Sequence, residues 1–444
     1  MRAISISTSL EKTNLSIIRG TNHRKMEENI IELFPEHELH SVHAIGGALT
    51  QASGYVFKNM KQEDVKNVIH QYFDKDGANY KMVRIPIDSC DFSTHQYSAA
   101  STKASLEREE YDFSIDEEYI FPYLDLIEKE AGRKIPILLS PWSPQSYLKS
   151  NNSRLKGGSL KKECYQMWAH FVSNYAKEYL ARGYAVVAMT IQNEPNAVQT
   201  WDSCLYSAEE EREYLLSALK PELEKAGLAD IKIFYWDHNK ERLLSRAQDF
   251  INEESRASIS GIAFHGYCGD HFEALTEYRA LYPEHEMIMS EFCMGVKDKD
   301  NNLKQLKVYG HEILNDLQRG ANAFIDWNII LDAEGGPNHV GNYCMAPFMT
   351  DENFVAKSNM AFEVMKEVGQ AVKDGSSVIF HTKYDSTLDV LSVKNRDGSI
   401  HVIIGAIPRS CKVNLRINEC VFTLNIKSNS LTHIILEEGD YEQN

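Results

Sequence analysis

Two periodicities in the sequence predict a (β/α)8 barrel, a TIM barrel, carrying a side antiparallel β-sandwich formed by both chain termini. In the middle of the chain, short apolar runs rich in Ile, Val and Phe alternate with helical segments, the pattern of βα units around a parallel sheet. At both ends apolar and polar residues alternate one by one, the period of half-buried strands. The expected division is 1–42 for the N-terminal strands, 43–370 for the barrel and 371–444 for the C-terminal strands.

Eight apolar runs carry the barrel: 42–46, 82–87, 135–139, 185–192, 231–236, 261–265, 287–290 and 321–327. Between them, 161–181 and 208–226 are the clearest helices, with apolar residues at i, i+3 and i+4 and Glu/Lys on the outer face. A doubly wound sheet would show a Gly-x-Gly-x-x-Gly turn after its first strand, and Gly46-Gly47 lacks the third glycine. At the C-terminus six short strands (377–384, 388–393, 400–407, 411–417, 421–426, 431–436) are separated by turn signals such as Asn395-Arg396-Asp397-Gly398. Ala3-Ile4-Ser5-Ile6-Ser7 and Asn14-Leu15-Ser16-Ile17-Ile18 supply strands at the other end.

The 444 residues are 43% hydrophobic, enough for a sizeable core, and the formal charge of −17 comes without any Lys/Arg-rich block. Nucleic acid is therefore not an expected partner. No run of about 18 apolar residues is present to span a bilayer. The first ten residues lack an apolar stretch followed by a small-residue cleavage site, so the expected location is cytoplasmic, with signal-independent secretion also compatible. Eight scattered cysteines without a Cys-x-x-Cys pair point to free thiols; Cys411 and Cys420 are the one pair that could face each other across a hairpin.

In a barrel, the C-terminal ends of the strands line the active site. Here they are rich in carboxylates and aromatics: Arg84 to Asp88, Ser140-Pro141-Trp142, Gln192-Asn193-Glu194-Pro195, Tyr235-Trp236-Asp237-His238, His265-Gly266-Tyr267, Ser290-Glu291-Phe292 and Asp326-Trp327-Asn328. Glu194 and Glu291 each follow an apolar strand directly, a place for glutamate only beside a polar cavity. Strands four and seven lie across the barrel from one another. One protonated and one ionised carboxyl on either side of an anomeric carbon is what glycosidic cleavage requires. Trp142, Tyr267 and Trp327 offer faces for stacking pyranose rings, while Asn193, Arg84 and His265 offer hydrogen bonds to hydroxyls. Arg84 could instead hold one glutamate in a buried ion pair, keeping it ionised.

Taken alone, Asn-Glu-Pro also fits a strand ending in a turn, Ser-Glu a helix cap, either indole a core residue and His265 a satisfied buried histidine. Their joint placement on one barrel mouth selects catalysis. No cofactor and no metal are expected: His-Glu-x-x-His is absent, and His37, His40 and His43 have no carboxylate or Cys set at zinc spacing. The Gly-x-Ser-x-Gly elbow of serine hydrolases is absent too.

At these residues the chain resembles glycoside hydrolase family 30, in its glucosylceramidase-like branch, over almost its full length. The motifs run in the family's order: Ile45-Gly46-Gly47-Ala48-Leu49-Thr50, Arg84 to Ser93, Ser140-Pro141-Trp142-Ser143-Pro144, Gln192-Asn193-Glu194-Pro195, Ser290-Glu291 and Asp326-Trp327-Asn328. Glu334-Gly335-Gly336-Pro337-Asn338 with Asn342 is similar to a segment of that branch, and Thr200 to Ser207 is similar to its bacterial members. The resemblance implies a barrel with a side β-sandwich and a retaining, metal-free β-glycosidase, with Glu194 as acid/base and Glu291 as nucleophile. It places Arg84, Trp142, Asn193, Tyr267, Trp327 and Asn342 around the sugar; His265, His238 and Gln51 complete the expected binding set. Implied substrates are β-linked glycosides: a small glycoside, a glycolipid such as β-glucosylceramide, or a β-1,6-glucan.

Three departures accompany the resemblance. Ala44-Ile45 replaces Gly-Phe, Gln51 stands where an acidic residue is usual, and Gly266 replaces the Trp of His-Trp-Tyr, which is expected to widen the pocket. The expected reaction is a double displacement in which the pKa of Glu194 is raised by its neighbours. The alternatives are a carbohydrate- or glycolipid-binding barrel without turnover and a transglycosylase.

Overall fold

The computed structural model describes residues 2–7, 12–14, 17–18, 29–418 and 420–437. Eight parallel strands close into a barrel: Ala44–Ala48, Met82–Ile87, Pro136–Pro141, Ala185–Thr190, Lys232–Asn239, Gly261–His265, Glu286–Glu291 and Ala323–Asp326. Each pairs with the next in sequence, and the eighth closes onto the first through Ala323 to Asp326 beside Ala44 to Gly47. The first strand starts two residues later than the apolar run suggested, because Val42 ends the long strand Ile30–Val42 of the terminal sheet.

The barrel interior explains why these runs must be apolar yet uneven in size. Ala44, Met82, Leu138, Ala188, Phe234, Ala263, Ile288 and Ala323, one from each strand, pack with Ile325 into a single buried layer. Alternating large and small side chains fill the tapering space that eight tilted strands enclose. Two residues further along strands two, three, four, six and seven, the inward positions turn polar: Arg84, Ser140, Thr190, His265 and Ser290. An apolar plug thus floors a polar mouth, with all five of those side chains buried.

The helix expected over 161–181 is Tyr165–Ala181, preceded by a 3-10 turn at Lys162–Cys164. That expected over 208–226 is broken into Ala208–Tyr214, a π turn at Leu215–Leu219 and Lys220–Lys225. Pro221 has no amide to give to the carbonyl four residues back, and a widened turn relieves the clash of its ring there. Gln51–Asn59 is a helix capped by the Thr50 side chain, which accepts from the Ser53 amide.

The terminal strands form one ten-stranded, mostly antiparallel sheet. From one edge its order is Lys12–Asn14, Arg2–Ser7, Thr432–Glu437, Ile400–Ile404, Val390–Lys394, Ser376–Lys383, Ile30–Val42, Cys411–Ile417, Cys420–Ile426 and Ile17–Ile18. Ile30–Val42 runs parallel to Cys411–Ile417. Side chains from both halves, among them Ile31, Val390, Val402, Leu415, Phe422 and Ile434, share one core. Of the expected N-terminal unit, 1–42, residues 1, 8–11, 15–16 and 19–28 lie outside the described residues. Cys411 and Cys420 sit at opposite ends of their hairpin, opposite Ile426 and Ile417, so they do not face each other and all eight cysteines are free.

The sheet docks on helix Asn302–Gln318. Gln318 donates to Ile379 O (3.1 Å) and accepts from the Ser392 amide (3.0 Å), and His311 Nδ1 lies 2.8 Å from Asp389 Oδ2. Among the described residues no helix is long and apolar enough to cross a membrane. Because Phe234 is the largest member of the interior layer, Phe234→Ala should lower unfolding stability by about 3–5 kcal/mol, read as an earlier midpoint in urea.

Candidate active site

Two strand irregularities turn the polar mouth into a site. Strand five pairs Ala263 with Trp236 but Phe264 with His238, so Asp237 is an extra residue, with φ 48°. Strand six pairs Phe264 with Met289 but His265 with Glu291, so Ser290 is the extra residue of strand seven. Such bulges redirect side chains. Here they bring Asp237 and Ser290 together, Ser290 Oγ donating to Asp237 Oδ1 at 2.5 Å. Glu194, after strand four, also holds a positive φ of 48°, a costly conformation for a non-glycine residue.

Arg84 is wholly buried and every arm of its guanidinium is used. Nε donates to Ser140 Oγ (3.0 Å), Nη1 to Glu291 Oε2 (2.6 Å), and Nη2 to both Asn193 Oδ1 and Asp237 Oδ2 (2.8 Å each). It lies 4.8 Å from the Trp142 ring centre, and Trp142 stacks on Trp327 at 5.4 Å and 19°. Asp237 carries the compensating charge. Burial alone would raise its pKa, but Arg84, His265 and Ser290 hold the carboxyl far below the usual carboxylate range.

Glu291 accepts a second hydrogen bond from the Tyr267 hydroxyl at 3.0 Å on Oε1. Glu194 meets different groups. His265 Nδ1 is 3.4 Å from its Oε1, an ion-pair distance without a well-aligned hydrogen bond, His238 Nε2 is 3.8 Å away, and Gln199 Nε2 lies 3.5 Å from Oε2. Burial pushes the Glu194 carboxyl up, but His265, His238 and Gln199 outweigh it and hold its pKa below the ordinary value. This reverses the raised value expected from the sequence. His265 answers in the opposite sense: burial disfavours the imidazolium, yet Glu291, Asp237 and Glu194 raise its pKa to about 9.

A cavity of about 400 Å3 opens above these groups, toward the lower end of the range for small-molecule sites. Eight of the expected residues line it: Glu194, Glu291, Trp142, Asn193, Tyr267, Trp327, Asn342 and His238. Arg84 and His265 lie behind the wall, with no exposed surface, so their hydrogen bonds serve Glu291, Asn193 and Asp237 rather than a ligand. The two indoles are each 2% exposed and present only a narrow surface to the cavity. Among the described residues no group of three or more His, Cys, Asp and Glu side chains is placed to hold a metal ion.

Gln51 is a correction. It is buried in the first turn of its helix, donates to Thr94 Oγ1 (3.0 Å) and accepts from the Thr94 amide (2.9 Å), and it does not line the cavity. Its amide is a clamp on the loop after strand two. Gly266 is another, since its missing side chain does not widen the pocket: the space is filled by Glu312, Met289 and Phe292.

Asp91, Gln199, Trp201 and Cys293 line the cavity without having been singled out as site residues. Asp91 accepts from Asn342 Nδ2 at 2.8 Å, and burial, with Glu291 and Glu194 nearby, pushes its pKa up to about 8. It is thereby a hydrogen-bond donor at neutral pH. Its sequence signals were its place three residues past Asp88 at the end of strand two and its inclusion in the Arg84 to Ser93 motif. A larger hollow of about 990 Å3 lies between the loops after strands seven and eight, but it contains neither Glu194 nor Glu291 and no aromatic wall.

A TIM barrel with glutamates ending strands four and seven, both facing a small cavity of indoles and amides, has the build of a glycosidase. The chain belongs to glycosyl hydrolase family 30, whose TIM-barrel domain matches residues 42–365. It is 28% identical to the lysosomal acid glucosylceramidase of Mus musculus over 398 residues, 84% of this chain and 76% of that one. Identity to the endo-1,6-beta-D-glucanase of Neurospora crassa is 24% over 324 residues, 69% of this chain and 64% of that one. The crystal structure of SrfJ from Salmonella typhimurium superposes with a TM-score of 0.95 at 31% identity, covering 99% of this chain and 100% of SrfJ.

Arg84→Met leaves two buried carboxylates without their cation and should cost about 3–5 kcal/mol of stability in urea unfolding. The His265 interactions stabilise fully below its unfolded pKa of about 6.5 and are lost as pH rises through about 9. Wild type should therefore lose Tm between pH 6.5 and 9, and His265→Asn should lower Tm most at pH 6 and flatten that fall.

Proposed function

We propose that the chain is a retaining β-glycosidase that hydrolyses a β-linked glycoside by double displacement. The observation that carries this is the unequal support of two carboxylates on one cavity. Glu291 receives fixed donors from Arg84 and Tyr267, one on each oxygen, which aim the carboxylate. Glu194 is met by His265 and His238, whose own protons can move.

In the first step Glu291 attacks the anomeric carbon, the glycosidic C–O bond breaks, and the leaving oxygen takes a proton from Glu194. The proton sits on the Glu194–His265 pair, because His265 stays protonated to about pH 9 and lies 3.4 Å from Glu194 Oε1. In the second step water, losing its proton to Glu194, opens the glycosyl ester with the β configuration retained. Asp91 and Asn342, joined at 2.8 Å, and Asn193 meet the sugar hydroxyls. A cavity of about 400 Å3 suits one terminal sugar and the start of its aglycone. The relatives named for glucosylceramide and for β-1,6-glucan make a β-glucoside the first substrate to try.

The test is hydrolysis of a panel of 4-nitrophenyl β-glycosides beside β-glucosylceramide and β-1,6-glucan. Turnover should vanish in Glu291→Gln, while Glu194→Gln should still release 4-nitrophenol in a first-step burst because that leaving group needs little protonation. NMR should show the β-anomer as first product. An α-anomer, or full activity in either variant, overturns the assignment; glycoside binding by folded wild type without any turnover would assign the barrel to ligand capture. His265→Asn should move the basic limb of the kcat/KM profile downward, since the acid then loses its proton at the lower pKa of Glu194 alone; an upward shift would mean that His265 only suppresses Glu194.

A further inference from the structure

Behind the wall that carries Tyr267 lies a buried cluster that the reaction above does not use. Lys240, 1% exposed, donates to Glu312 Oε1 at 2.6 Å and to Asp316 Oδ1 at 2.9 Å, both on helix Asn302–Gln318. The ammonium lies 4.3 Å from the Phe272 ring centre. Removing three ionisable groups from water is costly, and an apolar filler would serve packing as well. The cluster's position suggests what the ions do instead.

Glu312 occupies the space that a side chain at residue 266 would need. A Cβ on Gly266 would lie 2.2 Å from Glu312 Oε1 and 3.0 Å from both Met289 Cε and Phe292 Cδ2. Asn239, next to Lys240 at the end of strand five, accepts the Tyr267 amide on Oδ1 at 3.1 Å. Neighbouring residues of one strand end therefore control both halves of the Gly266-Tyr267 pair, Asn239 directly and Lys240 through Glu312. Tyr267 is 39% exposed overall, so part of its surface is open, yet its hydroxyl must stay 3.0 Å from Glu291 Oε1.

We propose that Glu312, anchored by Lys240 and seated against Gly266, is a positioning residue that keeps the Tyr267 hydroxyl on Glu291. The proposal rests on Glu291 being the nucleophile. The hydrogen bond from Tyr267 stabilises Glu291 as the leaving carboxylate of the second step. Displacing Tyr267 thus slows release of the glycosyl ester more than its formation, so kcat and KM fall together while kcat/KM changes little.

The experiment compares Gly266→Ala, Glu312→Ala, their combination and Glu312→Gln with Tyr267→Phe, using a 4-nitrophenyl β-glycoside that wild type hydrolyses. Each single Ala variant and Tyr267→Phe should lower kcat roughly tenfold, the lower end for one hydrogen bond to a charged group, with KM falling in parallel. Glu312→Gln, which keeps the shape and an acceptor for Lys240, should recover most of kcat. The double variant should be no worse than Glu312→Ala, because the truncated carboxylate leaves room for the added Cβ. Additive losses, wild-type kinetics in both single variants, or a fall in kcat/KM with KM unchanged would overturn the proposal. A crystal structure of Gly266→Ala gives an answer independent of turnover: the Tyr267 hydroxyl should leave Glu291, and its staying in place would refute the positioning role even if wild type hydrolysed no glycoside. Absence of wild-type turnover, by contrast, would count against the catalytic assignment of Glu291.

Discussion

The site is organised around one buried cation. Arg84 has no exposed surface, and a guanidinium so placed is tolerable only when its donors are satisfied and its charge is balanced. Strands three, five and seven and the loop after strand four each deliver an acceptor: Ser140, Asp237, Glu291 and Asn193. Four separate elements must end at the right height for this to hold. Arg84 therefore ties the register of half the barrel to the aim of Glu291, and the bulge at Asp237 is what lets strand five contribute its share.

The apolar layer below makes that tie stronger. With Phe234, Leu138 and Ile288 filling the interior directly beneath, water has little access to the ion cluster from the barrel floor. In such surroundings fixed hydrogen bonds gain strength, and a partner removed is costly. This links packing to chemistry: the layer that closes the barrel also keeps Asp237 ionised beside Arg84 and lets His265 retain its proton beside Asp237 and Glu194.

The barrel was legible because its signals are local. Each apolar run is bounded by turns, and a glutamate directly after one has little to do but face a cavity, so Glu194 and Glu291 stood out from the sequence. What stayed hidden depends on register and on contacts distant in sequence. A strand's two-residue period cannot disclose an extra residue, so Asp237 and Ser290 looked like ordinary strand-end polars although the bulges make them partners. Gln51 was misplaced because its helix direction, set by the Thr50 cap, sends the amide to Thr94. Gly266 looked like lost volume, yet the residue that replaces the ring, Glu312, lies 46 positions away on the helix after strand seven.

The contrast between the two glutamates follows from which neighbours can exchange a proton. Arg84 cannot, and Tyr267, its pKa raised by burial, Cys293 and Glu291, does not near neutral pH, so both groups that hydrogen-bond Glu291 keep their protons. Glu194 faces two imidazoles, one of which titrates near pH 9. In the double displacement proposed above, the first environment suits a nucleophile, which must be aimed in every turnover. The second suits an acid that becomes a base, whose charge must change twice per cycle. That asymmetry arises directly from what each strand brings to the mouth, one cation and a phenol on one side and histidines on the other. Under the double displacement proposed above, a depressed pKa at Glu194 is compatible with acid catalysis if the proton is held on His265, 3.4 Å away.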